Sequence, residues 1–276
     1  MIDRAFSLGI YAIIALVIAT FGWIIGDVII KGISVVSWEF LISEPEDAGR
    51  AGGIAPILVS TLYVLIIALV IALPLGISAA IWLAEFSQNQ SHTLHVGIIL
   101  DVLAGVPSIV YGLFGNAFFC IYLGLGYSLL SGGLTLACMI LPVFIRTCES
   151  GIRSVQSDWR LGGLALGMRR SVVIWKILLP AAQPAIIAGL ILSIGRATAE
   201  TAALLFTSGY VDRMPESIFD SARVLAVHIY DLTMNVTGGD ETAYGSALIL
   251  IVLIILLNTL AQGFIDSWFK RSGHYR

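Results

Sequence analysis

The sequence predicts an all-α, polytopic membrane protein of about six transmembrane helices, with both termini on the cytoplasmic side. Three observations carry that expectation. Of the 276 residues, 58% are hydrophobic and only 12% charged, roughly half the charged share of a soluble domain. Several apolar runs reach the length of about 20 residues that crosses a bilayer core as a helix. In lipid such runs must satisfy their own backbone groups, so helices are the natural structure. Finally, Lys and Arg are unevenly distributed between alternate loops, which orients the bundle.

Taken in order, the expected spans cover 5–30, 54–83, 95–113, 117–145, 184–206 and 244–264. The first, following Met1-Ile2-Asp3-Arg4, is too long for a cleaved signal peptide and is expected to be retained. The third and fourth are separated by a glycine-dense stretch, where a break at Gly124 to Gly126 is a second option. Between spans four and five lie Arg146, Arg153, Arg160, Arg169, Arg170 and Lys176. Arg4 precedes span one, and Lys270, Arg271 and Arg276 follow span six. The opposite loops carry Lys31, Arg50, Arg213 and Arg223. Ten against four places both termini and the central loop in the cytoplasm. The outer loops are acidic instead, with Glu39, Glu44, Glu46 and Asp47 in the first of them.

Other classes are poorly supported. A net charge of −3 without a basic tract gives nucleic acid nothing to bind. Cys120, Cys138 and Cys148 lack metal-ligand spacing and read as apolar packing residues, so no metal site is expected. With no phosphate-loop sequence and no catalytic constellation, the chain is expected to hydrolyse no ATP and to hold no cofactor itself.

The central loop has its own pattern. Ser157-Asp158 resembles a helix N-cap, followed by a short helix through Trp159, Arg160, Leu161, Gly162 and Gly163 to about Leu166. Gly167 is suited to the left-handed conformation that ends a helix, and a second short helix follows from about Ser171. Pro180 and Pro184 interrupt the chain before span five. The paired glycines cost about 1 kcal/mol each relative to alanine, so this helix needs outside support. Two readings fit: a docking knob for a cytoplasmic partner, or a hairpin on anionic headgroups.

Inside the spans, Arg196 and Glu200 are four residues apart, adjacent on one face of a continuous helix. Gly189, Ser193, Arg196, Glu200 and Thr207 project on one stripe that should face the bundle. An arginine at mid-membrane costs about 2.5–3.5 kcal/mol on insertion scales, which Glu200 would partly offset. The pair is either a contact for an anion or a structural link. In span three, Asp101, Gly105, Ser108 and Gly112 form a second stripe, loosened by Pro107. Ser108 is a candidate ligand, and Asp101 a pathway residue or a partner for Arg146. His92 and His95 in a cytoplasmic connection, and His228 in an outer loop, are expected to be solvated. Within the outer loop, 218–230 has helical apolar spacing and could cover the pathway or dock a partner.

The central loop resembles the "EAA" loop of ABC importer permeases, in which Glu-Ala-Ala is followed by a glycine and a later Leu-Pro. Here Leu161-Gly162-Gly163 replaces the triplet, Gly167 is the corner, and Leu179-Pro180 closes the motif. The acidic residue is missing, so a salt bridge from it to an ATPase is not expected; Asp158 is the nearest substitute, at a different offset. GGIAPILVST (52–61), DVLAGVPSIVYGLF (101–114), LPVFIRTCE (141–149) and GRATAETAALLFT (195–207) resemble the A-type permease of Pst phosphate importers. The likeness covers most of the chain. It implies the type I ABC importer permease fold, with 1–50 as an N-terminal transmembrane helix and outer loop and 51–270 as the permease domain. A coupling loop at 146–183 would meet the ATPase. The implied partners are a C-type permease subunit, two ATPase copies that hold ATP and Mg, and an external phosphate-binding protein. Arg196 would then supply charge to a passing phosphate, with Glu200 limiting its grip. Sulfate or molybdate import, or proton coupling through Glu200, are the alternatives.

Overall fold

The computed structural model describes residues 2–87 and 90–271; Arg276 lies outside them, as do the side chains of Arg4, Lys270 and Arg271. Among the described residues, four helices are long and apolar enough to cross a membrane, and the number is up to six if each of two bent helix pairs is one span.

Helix α1 (Ile2–Gly32) buries none of its spanning window and packs against the last helix, with Lys31 and Gly32 meeting Tyr244 near its outer end. A short α2 (Trp38–Ile42), capped by the Ser37 hydroxyl, leads into a two-residue hairpin of β1 (Pro45–Glu46) and β2 (Ala51–Gly52). Helix α3 (Ala55–Ile81) then crosses the membrane and ends in a π turn, Trp82–Phe86.

The third crossing departs from expectation. It is a broken span: α4 (Gln90–Ala104) and α5 (Ser108–Gly115), the latter continuing as a π turn over Asn116–Tyr122, meet at 94°. Pro107 is the cause, since it has no amide to donate and its ring disfavours a helical residue before it. The chain then reverses at Gly124 and Gly126, both at positive φ, and α6 (Leu129–Ser154) starts twelve residues later than the expected 117, with its N-terminus capped by Ser128. The second of the two possible breaks is therefore the one used.

Helix α6 is the hub. Two-thirds of its spanning window is buried, and it packs on α3, α4 and the fifth crossing. After it come the loop helices α7 (Ser157–Ala165), α8 (Arg170–Val173) and α9 (Leu179–Ala181), with a π turn at Ile174–Leu178. Pro180 and Pro184 sit in the first turns of α9 and α10 (Gln183–Thr198), where a missing amide does no harm. The 68° bend falls between them, at Ala182.

The fifth crossing stops at Thr198 and resumes only as α11 (Ala202–Leu205). Beyond it, 209–224 is irregular and α12 (Leu225–Met234) starts seven residues later than expected. Its start is fixed by the Leu225 amide donating to Thr61 Oγ1, while the Leu129 and Leu130 amides donate to the Asp220 and Ile218 carbonyls. That strap satisfies amides that the first turn of α6 would otherwise leave bare. Helix α13 (Asp240–Arg271) closes the bundle against α1, α10 and α12.

Candidate transport site and coupling loop

Arg196 sits in the last turn of α10, half-buried, and its Nη1 donates a long bond of 3.5 Å to the Ala104 carbonyl. Ala104 ends α4 at the Pro107 break. The guanidinium therefore lies at the C-terminal ends of two helices, α4 and its own, where the macrodipoles favour a cation. Tyr111 Oη caps the same end by donating to the Leu103 carbonyl at 3.0 Å. Ser108 opens α5 on the far side of the break and is half-buried.

The Arg196–Glu200 pair expected from i, i+4 spacing does not form. The helix ends between them, with Ala199 at ψ 0° as its C-cap, so the two side chains no longer share a face. Glu200 Oε1 instead accepts the Ala203 amide at 3.1 Å and caps α11. Among the described residues, no carboxylate lies within 4.0 Å of Arg196. Ser193 and Thr207 are buried, and each hydroxyl donates to a carbonyl four residues back, Gly189 and Ala203 respectively, at 2.8 Å. Both hydroxyls are thus engaged within their own segments. Gly112 holds α5 against α11: a Cβ there would lie 2.8 Å from the Ala203 Cα. Asn116 reinforces the contact by donating to the Phe206 carbonyl at 2.8 Å.

Asp101 belongs elsewhere. Half-exposed in the last turn of α4, it accepts from Arg146 on both oxygens, at 2.9 and 3.0 Å, which is the second of the two roles expected of it. Arg146 also reaches Glu149 at 3.0 Å, and Glu149, 2% exposed, accepts from Arg153 at 2.9 Å. These four line a cytoplasmic cavity of about 1200 Å³ with Ser87 and Gly97. The spacing Arg146, Glu149, Arg153 along α6 is the sequence signal for this cluster, of which only the Asp101–Arg146 pairing is among the expectations.

The coupling loop folds as its sequence predicts, with details shifted by a residue. The N-cap position is Gln156 rather than Ser157, without a side-chain bond, and Asp158 is exposed in the first turn. At the C-terminus the Met168 amide bonds the Gly163 carbonyl and the Gly167 amide bonds the Leu164 carbonyl, with Gly167 at φ +77°. This is a Schellman cap, which a Cβ at position 167 would strain. Gly163 packs on α8 and the π turn: a Cβ there would come within 2.9 Å of Val173 and 3.0 Å of Ile177, whereas at Gly162 it would meet open space. Trp159, Leu161, Leu164, Leu166 and Trp175 are exposed. Apolar exposure on this scale beside satisfied charges marks a contact surface. Arg160 points the other way, into the protein, donating to Glu85 Oε1 at 2.8 Å and to the Val155 and Ile152 carbonyls at 2.6 Å.

On the outer side, His228 is fully buried, not solvated. It lies on the inner face of α12, against Gly49 of the hairpin. Its Nδ1 is 3.3 Å from Arg223 Nη1, and Arg223 pairs with Asp231 at 3.0 Å. Burial, then the Arg223 charge, pushes its pKa down to about 4, against a smaller opposing effect of Asp231.

Two bent crossings, a central α6 and an apolar knob on a basic face are features of a permease, and comparison with known proteins agrees. Residues 72–271 match the family described as binding-protein-dependent transport system inner membrane component. The chain belongs to that family. It is thus a multi-pass membrane permease subunit of the ABC importer type, from a family whose members work with a partner permease, an ATPase and a binding protein. Among family members, the probable ABC transporter permease protein YqgI of Bacillus subtilis is 34% identical over 272 residues, covering 93% of this chain and 91% of the relative. Phosphate transport system permease protein PstA of Mycobacterium leprae is 33% identical over 251 residues, covering 88% and 81%. A permease in the crystal structure of a bacterial ABC transporter that imports the acidic polysaccharide alginate superimposes with a TM-score of 0.64 at 14% identity, over 93% of this chain and 96% of that one. This last likeness establishes the type I importer permease fold.

Proposed function

We propose that this chain is the A-type permease of an ATP-driven phosphate importer. The observation that carries the reading is Arg196: a half-buried guanidinium at the meeting of two broken crossings, with no carboxylate beside it among the described residues. A cation held by helix ends but left without a counter-ion favours an anion, and a guanidinium can contact two phosphate oxygens at once. Broken helices with freed backbone groups are where transporters build substrate sites. The phosphate name of the Mycobacterium leprae relative supports the choice of anion.

In this account, the working complex adds a C-type permease, two ATPase copies that bind ATP and Mg, and an external phosphate-binding protein. The exposed face of α7, with Trp159, Leu161, Leu164 and Leu166, seats in the ATPase and contacts it by shape, because Leu161 carries no charge. ATP-driven closure shifts the loop and biases the bundle between inward- and outward-open states. Ser108 and Arg196 contact the ion in passage. Glu200 sets the start of α11 and so the shape of the gap, in place of the counter-ion role its spacing implied. Asp101 serves the cytoplasmic mouth with Arg146.

The test is uptake of labelled phosphate into vesicles holding the whole complex. ATP-dependent uptake competed by phosphate and not by sulfate or molybdate is expected. Uptake driven by a proton gradient and indifferent to ATP, or competed best by sulfate or molybdate, would overturn the reading.

A further inference from the structure

We infer that Glu85 is a positioning residue that clamps the coupling helix to the end of α3, so that the ATPase stroke enters the bundle through that helix. The inference rests on the proposed coupling role of the loop. Its physical basis is a fastening of unusual density. The Glu85 side chain is only 8% exposed although it lies at the cytoplasmic end of the bundle. Its Oε1 accepts from Arg160 Nε at 2.8 Å, and the other two Arg160 nitrogens donate to carbonyls at the end of α6. One side chain of α7 therefore ties together the coupling helix, α6 and the turn that ends α3. The same turn is held twice more. Arg170 donates to the Glu85 carbonyl and lies over the Phe86 ring, 4.7 Å from its centroid, and Arg153 donates to the Leu83 carbonyl at 2.9 Å.

The turn is itself irregular. Trp82–Phe86 is a π turn, and so is Ile174–Leu178 on the other side of α7. A π turn shifts the helical register and is frequent where a helix does mechanical or chemical work. Here the register shift accompanies a carboxylate buried against the loop rather than exposed at the helix end. The chain lacks an acid at the exposed Leu161 and has its charged contact at the preceding residue, Arg160, which is turned into the permease. The outer contact is then made by shape, and the inner one by a desolvated ion pair whose loss leaves an unpaired buried charge. The clamp makes α7 and the end of α3 move as one body.

The experiment uses the complete transporter with spin labels at Ser157→Cys and Trp82→Cys, both exposed positions, alone and combined with Glu85→Gln. In the otherwise unaltered protein the distance between labels should stay fixed when a non-hydrolysable ATP analogue is added. In the Glu85→Gln protein it should broaden or shift. Without labels, Glu85→Gln should lower substrate moved per ATP hydrolysed by about tenfold, an ordinary coupling effect, with the ATPase still co-purifying. The label distance is independent of which anion is carried, so failure of the phosphate reading and failure of the clamp are separable. A nucleotide-dependent change in the unaltered protein would overturn the inference. So would normal transport per ATP in Glu85→Gln, or loss of the ATPase from its complex, which would mean that Glu85 only folds the loop.

Discussion

Arg160 and Arg196 occupy opposite ends of one problem, how to place a guanidinium in a largely apolar protein. Arg160 is saturated: one carboxylate and two carbonyls engage all three nitrogens within 2.8 Å. Among the described residues, Arg196 makes one bond of 3.5 Å and has no carboxylate within 4.0 Å. The first arrangement leaves nothing for a ligand and everything for rigidity. The second leaves several donors without a bond among the described residues, beside the break that follows Ala104. The difference separates fastening from function more reliably than charge or burial alone, because both arginines are only partly exposed.

The largest effect that would break this comparison is at Arg196. Arg196→Gln should lower ATP-dependent phosphate uptake by at least about 100-fold, since the group removed makes charge-assisted bonds to the anion, with the complex still assembled by co-purification. If uptake stays normal, Arg196 is fastening too. Next comes Gly163→Leu, whose side chain must enter the space of Val173 and Ile177. Overpacking of this kind costs about 1–3 kcal/mol, and the expected outcome is an ATPase that no longer co-purifies while the membrane bundle remains folded.

A third prediction concerns pH on the outer side. The folded state keeps His228 neutral down to about pH 4, whereas an unfolded histidine protonates near 6.5. The unfolded state thus takes up the proton first, and stability is full above pH 6.5 and falls as pH drops to about 4. The loss is of the order of 3 kcal/mol in all. Thermal unfolding in detergent across that range should show the slope, and His228→Asn should flatten it. Smallest is Gly162→Ala, where a Cβ meets open space. It should stabilise the coupling helix by up to about 1 kcal/mol and leave uptake unchanged, in contrast with its neighbour Gly163.

How much of this was legible depended on whether a feature was set by local chemistry. The coupling loop was: a helix ended by Gly167 needs only a residue tolerant of positive φ, and the Schellman bonds follow. The Asp101–Arg146 pair was also within reach, from opposite charges at matching depth. The fifth crossing was not. Stripe arguments assume that a helix continues, and nothing in GRATAETAALL announces the stop at Ala199, since alanine and threonine are compatible with helix. What ends it combines a local cap, Glu200 accepting the Ala203 amide at the start of α11, with a tertiary contact, Gly112 allowing α5 to press against Ala203. His228 was misplaced for a similar reason. An outer-loop histidine is ordinarily solvated, and its burial came from the α12 register, fixed by Thr61 far away in sequence. Glu85 is not distinguished in the sequence, because a single acid after an apolar run is also what a membrane boundary shows.

The central claim is that Arg196 acts by carrying charge at the crossing, and chemical rescue tests it most directly. In the whole complex, Arg196→Cys should import almost no phosphate. Modification with a cationic aminoethyl thiosulfonate should restore a measurable part of ATP-dependent uptake, and a neutral reagent of the same size should restore none. Equal recovery with both reagents, or normal uptake by the unmodified cysteine variant, would contradict the account.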